Sequence, residues 1–226
     1  MLPESTLQTI FRGYDDIIYD TNCIVSYVFR TEITIERTGE RLIIEETATQ
    51  LVKDLTSYIQ THHKKVIMLK IAFEEITLRK LAKIVHDKFS EPSFVENIAT
   101  KTGPEEYNKR KDIIEQQILR KVTKDTKRLA LGAEAWFKMD SSYIPDANDI
   151  NNIKSFFRSL FNNPVTKQRF NPHKDSMPSK VDLTLILFSK DKKYPLISND
   201  GDINEFRKEL ADNNYTHKII PLMELG

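Results

Sequence analysis

The stretch DIIYDTN, residues 16–22, decides which fold the sequence predicts. Its first four residues form a short, mostly apolar run, which is typical of a strand buried on both faces of a parallel sheet. An acidic residue, Asp20, follows directly. Thr21 is then predicted to be the N-cap of the helix that comes next. A buried strand that leads straight into a helix indicates an α/β protein.

The same succession of a short apolar strand and a helix recurs along the chain. The sequence predicts further strands at 66–69 (VIML), 195–198 (PLIS) and 218–222 (KIIPL), and helices that begin at Thr47, near Phe73, at Ser179 and at Ile203. This alternation predicts an α/β fold, a three-layer, doubly wound sheet of mainly parallel strands. Residues 31–45, with Thr38-Gly39 near their centre, are predicted to form a hairpin or an ordered excursion from the sheet.

Residues 90–178 interrupt this alternation. Prolines and the pair Gly103-Pro104 divide the stretch into helical segments, and Trp136 and Phe137 are predicted to lie in one of those helices. No linker separates the stretch from its neighbours. The sequence therefore predicts a single domain over residues 1–226, with a helical insertion or lid at about 90–178.

Charge and composition narrow the classes of protein. The chain of 226 residues has a formal net charge of +1, so attraction to nucleic acid must come from a local patch. Cys23 is the only cysteine, which excludes an intrachain disulfide and argues against a cysteine-based zinc site. The N-terminal residues do not resemble a signal peptide, and no apolar run reaches the roughly 18–20 residues that span a bilayer. We therefore expect a cytoplasmic protein without a membrane partner.

Acidic residues recur where the predicted strands end. Asp20 follows the first strand, Glu75 lies near the start of the helix after VIML, Asp182 lies in the first turn of the helix that opens at Ser179, and Asp200 and Asp202 follow PLIS. In doubly wound sheets, ligands bind outside these carboxyl ends. Converging carboxylates repel one another, and a divalent cation relieves the repulsion. The joint placement predicts a Mg²⁺ or Mn²⁺ site, although each acid also has a structural alternative as a helix cap or turn residue.

Four segments resemble the sequence motifs of PIN-domain nucleases, in the same order: IIYDTN (17–22), AFEEI (72–76), KVDLTLILFS (180–189) and PLISNDGDI (195–203). The resemblance covers the two ends of the chain. It implies that the catalytic, metal-binding carboxylates are Asp20, Glu75, Asp182 and Asp200, that Asp202 is an accessory acid, and that Asn22 and Ser198 support the metal. Glu75 is preferred to Glu74 because the family pattern places the acid directly before the aliphatic residue.

The resemblance implies a metal-dependent endoribonuclease, in which a metal-bound water attacks an RNA phosphodiester bond. Three alternatives stay open: a structure-selective DNA nuclease, a PIN scaffold that binds nucleic acid without cutting it, and a signalling module with acidic strand ends. A homodimer is one partner arrangement left open. A protein inhibitor, an antitoxin, is another if the chain is a toxin.

A basic stripe is predicted within the insertion. Arg120, Lys124, Lys127 and Arg128 recur at helical spacing and share one helix face. The stripe is either a nucleic-acid-binding surface that contacts phosphates or a solvated charged face, and both interpretations stay open. Aromatic residues of the insertion, such as Phe157, are predicted to pack in the core rather than stack on bases.

Overall fold

The computed structural model describes residues 4–34, 41–45, 47–170 and 177–225. Its strands are β1 (Asp16–Tyr19), β2 (Arg30–Thr34), β3 (Arg41–Glu45), β4 (Lys65–Leu69), β5 (Phe137–Asp140), β6 (Pro195–Ser198) and β7 (Lys218–Pro221). Five of them form a sheet in the order β5-β4-β1-β6-β7, in which all neighbours are parallel. The predicted α/β class is confirmed. The predicted hairpin is also confirmed, since β2 and β3 pair antiparallel, although Thr38-Gly39 lies outside the described residues.

The helices of the described chain connect these strands. They are α1 (Glu4–Ile10), α2 (Thr21–Val28), α3 (Thr47–Thr61), α4 (Lys70–Glu75), α5 (Leu78–Lys88), α6 (Pro92–Thr102), α7 (Pro104–Ala130), α8 (Ala147–Asn162), α9 (Pro164–Lys167), α10 (Lys180–Lys192), α11 (Gly201–Glu205) and α12 (Arg207–Asp212). The helix predicted near Phe73 is divided into α4 and α5, and the one predicted from Ile203 into α11 and α12. Among these described helices, none is long and apolar enough to cross a membrane.

The helices lie in two layers, one on each face of the sheet. Because successive side chains of a strand point to opposite faces, Ile17 and Tyr19 of β1 face one layer and Ile18 faces the other. The first layer contains α1, α2, α3, α5, α6 and α7, and the second contains α8, α10, α11 and α12. Burial on both faces explains why β1, β4, β6 and β7 consist mainly of continuous apolar residues.

The stretch 90–178 is not a purely helical insertion. Phe137–Asp140 forms β5, an edge strand that pairs with β4, so the prediction of a helix at Trp136 and Phe137 is wrong. Four residues are too few for a helical or strand period to show in the sequence, and pairing with the exposed edge of β4 makes them a strand. Since α6 and α7 belong to the first layer and α8 to the second, the stretch contributes to every layer of the domain.

The strand order reverses between β1 and β6. From β1 the chain builds outward to β4 and β5, and then returns to place β6 on the other side of β1, with β7 beyond it. In open parallel sheets such a reversal is the topological switch point, where a crevice forms beyond the carboxyl ends of the two strands. Asp20 follows β1 and Asn199 follows β6, so both lie at this switch point.

Candidate functional site

Asp20 joins the end of β1 to the start of α2. Its Oδ1 accepts a hydrogen bond from the backbone N–H of Cys23 at 2.6 Å, so Asp20 is the N-cap of α2. Its Oδ2 accepts from the Ser198 hydroxyl at 2.7 Å and from the Asn199 backbone N–H at 2.8 Å. The prediction that Thr21 caps α2 is therefore wrong. Asp and Thr are both favoured caps, and their order in the sequence does not decide between them.

The carboxylate of Asp20 is buried, with 2% of the residue exposed. Burial raises the pKa of this carboxyl group above its ordinary value, and the hydrogen bonds offset only part of the rise. In the part of the chain that the structure describes, no Lys, Arg or His forms an ion pair with it. The positive end of the α2 dipole compensates the charge in part. Asp20 is thus a buried acid without a full counter-charge, at the switch point of the sheet.

Ser198, the last residue of β6, connects Asp20 to Asp200. Its buried hydroxyl donates to Asp20 and accepts from the backbone N–H of Asp200 at 3.0 Å. Asp200 is in turn the N-cap of α11, because its Oδ1 accepts from the backbone N–H of Asp202 at 2.9 Å. Asp202 itself is buried in the first turn of α11. The structure therefore brings two of the predicted acids together through one serine.

Glu75, the last residue of α4, reaches the same edge of the sheet. Its Oε2 accepts a hydrogen bond from the Thr21 hydroxyl at 2.8 Å and lies 3.5 Å from the Nζ of Lys80. Because Thr21 directly follows Asp20, Glu75 approaches the buried acid from the β4 side of β1. Glu74, in contrast, is exposed. Of the two neighbouring glutamates, Glu75 is the one that contacts the residue next to Asp20.

Asp182 and Asn22 lie in the first turns of α10 and α2. Asp182 closes a capping box, since its Oδ2 accepts from the backbone N–H of Ser179 at 2.8 Å and its own N–H donates to the Ser179 hydroxyl at 3.2 Å. Asn22 is exposed. The structural alternative for Asp182 is thus present, and its role at a metal stays a prediction.

The edge offers oxygen ligands but does not gather them around one centre. In residues 4–34, 41–45, 47–170 and 177–225, no three His, Cys, Asp or Glu side chains lie close enough together to hold a metal ion. The predicted acids instead approach one another through the hydroxyls of Ser198 and Thr21. Carboxylate oxygens suit Mg²⁺ or Mn²⁺, so the donor chemistry fits such an ion. Binding would require the acids to exchange hydrogen bonds for coordination.

The structure places three further groups at this edge that the sequence did not predict as part of the site. The Thr21 hydroxyl and the Lys80 ammonium both contact Glu75, and the Asn199 backbone N–H contacts Asp20. Lys80 lies one residue beyond helical i, i+4 spacing from Glu75, and the break between α4 and α5 brings it within reach. Asn199 acts through its backbone, which any residue except proline would supply. The sequence therefore predicts neither the contact of Lys80 with Glu75 nor that of Asn199 with Asp20.

A cleft of about 290 Å³ opens beyond the carboxyl ends of β4 and β5. Lys70, the first residue of α4, and Lys180, the first residue of α10, both line it, together with Glu74 and Tyr143. Since Glu75 ends α4, the cleft lies beside the acidic edge. Two acids, Glu74 and Asp140, line the same cleft, and the Nζ of Lys70 lies 3.5 Å from an oxygen of Glu74, so the described lining carries no net charge.

The predicted basic stripe lies on the C-terminal half of α7. Arg120, Lys124, Lys127 and Arg128 are exposed and line one groove, so they share a face as predicted. Their contact with nucleic acid stays a prediction. Phe157 is fully buried, which confirms that it packs in the core.

The function has to be inferred from these residues and contacts. Comparisons with known protein families, with curated proteins and with solved structures found no match to this chain.

Proposed function

We propose that this protein is a Mg²⁺- or Mn²⁺-dependent endoribonuclease of the PIN-domain type, which acts at the carboxyl edge of the sheet. The observation that carries the proposal is the buried carboxylate of Asp20, held by three hydrogen bonds at the switch point and without a basic partner among the described residues. Buried acids with a raised pKa are often found at functional sites. A divalent cation held by the acids of this edge would supply the positive charge that Asp20 lacks.

Helix capping alone does not account for the burial of Asp20. Asp146 caps α8 in the same way, by accepting from the backbone N–H of Asn148 at 2.8 Å, and yet Asp146 is exposed. An exposed capping residue keeps its carboxylate hydrated, whereas a buried one loses hydration free energy. Capping stabilises the helix by about 0.5–2 kcal/mol, which offsets only part of that cost. The burial therefore supports a role for Asp20 beyond capping.

Asp20, Glu75 and Asp200 would hold the ion, with Asp182 and Asp202 as further acids. Their donors are hard carboxylate oxygens, which Mg²⁺ and Mn²⁺ prefer. When bound, the ion supplies positive charge to the scissile phosphate and makes a water more acidic, which are the two requirements of phosphodiester hydrolysis at neutral pH.

The other residues of the edge position these acids and the substrate. The Ser198 hydroxyl fixes the orientation of Asp20, and the Thr21 hydroxyl does the same for Glu75. Lys180 lines the neighbouring cleft and would contact a phosphate of a nucleic-acid strand, whereas Lys70 pairs with Glu74. A strand that lies in the cleft would pass beside the acids. RNA is proposed over DNA because of the resemblance to PIN-domain nucleases.

Cleavage assays on two labelled substrates test this function. We expect the purified protein to cut single-stranded RNA with Mn²⁺ but not after EDTA has removed divalent ions, and to leave flapped DNA intact. Cleavage of the flapped DNA alone would support a structure-selective DNA nuclease instead. If neither substrate is cut with Mn²⁺ or Mg²⁺, or if RNA cleavage persists in EDTA, the proposed metal-dependent ribonuclease is contradicted.

A further inference from the structure

A groove of about 750 Å³ lies between the start of α5 and the C-terminal half of α7, and we name it the α7 groove. Its apolar surface includes Leu78, Leu119 and Leu131, and its basic side chains are those of the stripe on α7. It is a different cavity from the cleft beside the acidic edge. Its volume falls within the range of about 300–1,000 Å³ that is usual for binding pockets.

The apolar surface of the α7 groove is open to solvent. Leu131 is 86% exposed and Leu78 is 60% exposed, and Leu119 lines the same concave surface. Single exposed apolar side chains are common on soluble proteins. Several that line one groove, with polar residues at the rim, mark an interaction site. The three leucines therefore indicate an occupant with an apolar face.

The α7 groove also carries unbalanced positive charge. Arg120, Lys124 and Lys127 are exposed, and none of them forms an ion pair with a residue that the structure describes. Arg128 pairs with Glu134, at 2.6 Å between Nη2 and Oε1. No acidic residue lines the groove in the described part of the chain. Charge complementarity therefore favours an occupant that is acidic.

We propose that the α7 groove binds an amphipathic α-helix of a partner protein, with aliphatic residues on one face and Asp or Glu along its flanks. The aliphatic face covers the three leucines, and the acidic flanks pair with the basic side chains of α7. Docking of an amphipathic helix in an apolar groove is a recurrent mode of peptide recognition, read as anchors at i, i+3, i+4 and i+7.

The lining of the α7 groove favours a protein helix over RNA. Proteins that bind single-stranded nucleic acid stack bases on aromatic side chains, and the described lining contains none. Phosphates would contact the basic side chains and leave the leucines in water, whereas an amphipathic helix removes the leucines from water and neutralises the charges together. The proposed helix binding does not depend on whether the acidic edge cleaves RNA.

Binding of a synthetic peptide to the full-length protein tests this proposal. The probe is a fluorescein-labelled peptide of about 18 residues, long enough to form a helix, with Leu at i, i+3, i+4 and i+7 and Glu at the flanking positions. We expect saturable binding in a fluorescence anisotropy titration. The double variant Lys124→Glu/Lys127→Glu should bind about tenfold more weakly, because two attractions become repulsions. Leu131→Asp should also weaken binding, because it places a charge on the apolar surface.

The matched control is Lys109→Glu/Lys111→Glu, which makes the same change of charge at exposed positions of α7 outside the groove. It should bind the peptide as the wild type does, and circular dichroism checks that every variant is folded. The proposal is overturned if the wild type does not bind the peptide, if the control weakens binding as much as the groove variants, or if Leu131→Asp has no effect. Displacement of the peptide by labelled oligouridine, with RNA binding lost in Leu131→Asp, would assign the groove to RNA.

Discussion

Replacement of Asp20 by Asn is expected to slow RNA cleavage about 10³-fold, because charge stabilisation by the ion contributes several kcal/mol and about 1.4 kcal/mol corresponds to a factor of ten. Asn is as good an N-cap as Asp, so its side-chain oxygen can keep the bond from the Cys23 N–H, but its NH2 group cannot accept from the Asn199 N–H. Circular dichroism therefore checks that the variant is folded. The substitution removes the negative charge that would hold the cation. Initial rates on labelled single-stranded RNA with Mn²⁺ measure the effect, and Asp200→Asn should behave in the same way because Asp200 is also an N-cap.

The control for this experiment is Asp146→Asn. It makes the same chemical change at another helix cap, that of α8, which is exposed. If capping were the whole role of Asp20, the Asp20 and Asp146 variants would cleave alike. Equal cleavage by the wild type, Asp20→Asn and Asp200→Asn would point to a contaminating nuclease and remove the catalytic assignment.

Truncation of Phe157 to Ala is expected to lower the free energy of unfolding by about 3–5 kcal/mol, the usual cost of deleting a buried phenylalanine side chain. Phe157 lies on α8, within the stretch predicted as an insertion, and it is 0% exposed. Its ring packs edge-on against Phe206, with 6.2 Å between the ring centroids. Urea unfolding followed by circular dichroism measures the loss of stability.

The matched substitution is Val165→Ala on α9, where the side chain is 74% exposed. It should change the free energy of unfolding by no more than about 0.5 kcal/mol, as is usual for surface substitutions. If Phe157→Ala were equally mild, α8 would behave as a lid that can be loosened without harm to the core. That result would contradict the placement of α8 in the second helical layer.

The strands of the sheet were predictable where burial on both faces leaves a continuous apolar run. The runs that became β1, β4, β6 and β7 are all of this kind, and a polar or charged residue directly follows β1, β4 and β6. Phe137–Asp140 was not predictable, because FKMD is short and has a charged residue within it. It forms a strand because β4 offers an edge to pair with, and that is a property of the assembled sheet. The residues around Phe137–Asp140 do not indicate that this segment pairs with β4.

The acidic site was predictable in position but not in orientation. A parallel strand fixes the edge at which the next residue lies, so Asp20 and Asp200 were expected near each other, and Ser198 joins them. The direction of each carboxylate depends on local hydrogen bonds. Asp182 turns back to cap its own helix, and Glu75 turns toward Thr21. The spacing of Ser179 and Asp182 indicated the capping box as an alternative, whereas nothing in the sequence indicated the contact between Glu75 and Thr21.

Isothermal titration calorimetry of the metal-free protein with Mn²⁺ measures most directly whether the acids of this edge form an ion site. We predict that the wild-type chain binds a single Mn²⁺ at the acidic edge, that Asp20→Asn and Asp200→Asn abolish this binding, and that Ser198→Ala weakens it about 10–100-fold, as expected for a residue that orients a ligand. Asp146→Asn should bind as the wild type does. Absence of Mn²⁺ binding to the wild type, or unchanged binding in Asp20→Asn, would contradict the claim that a divalent ion compensates the buried charge of Asp20.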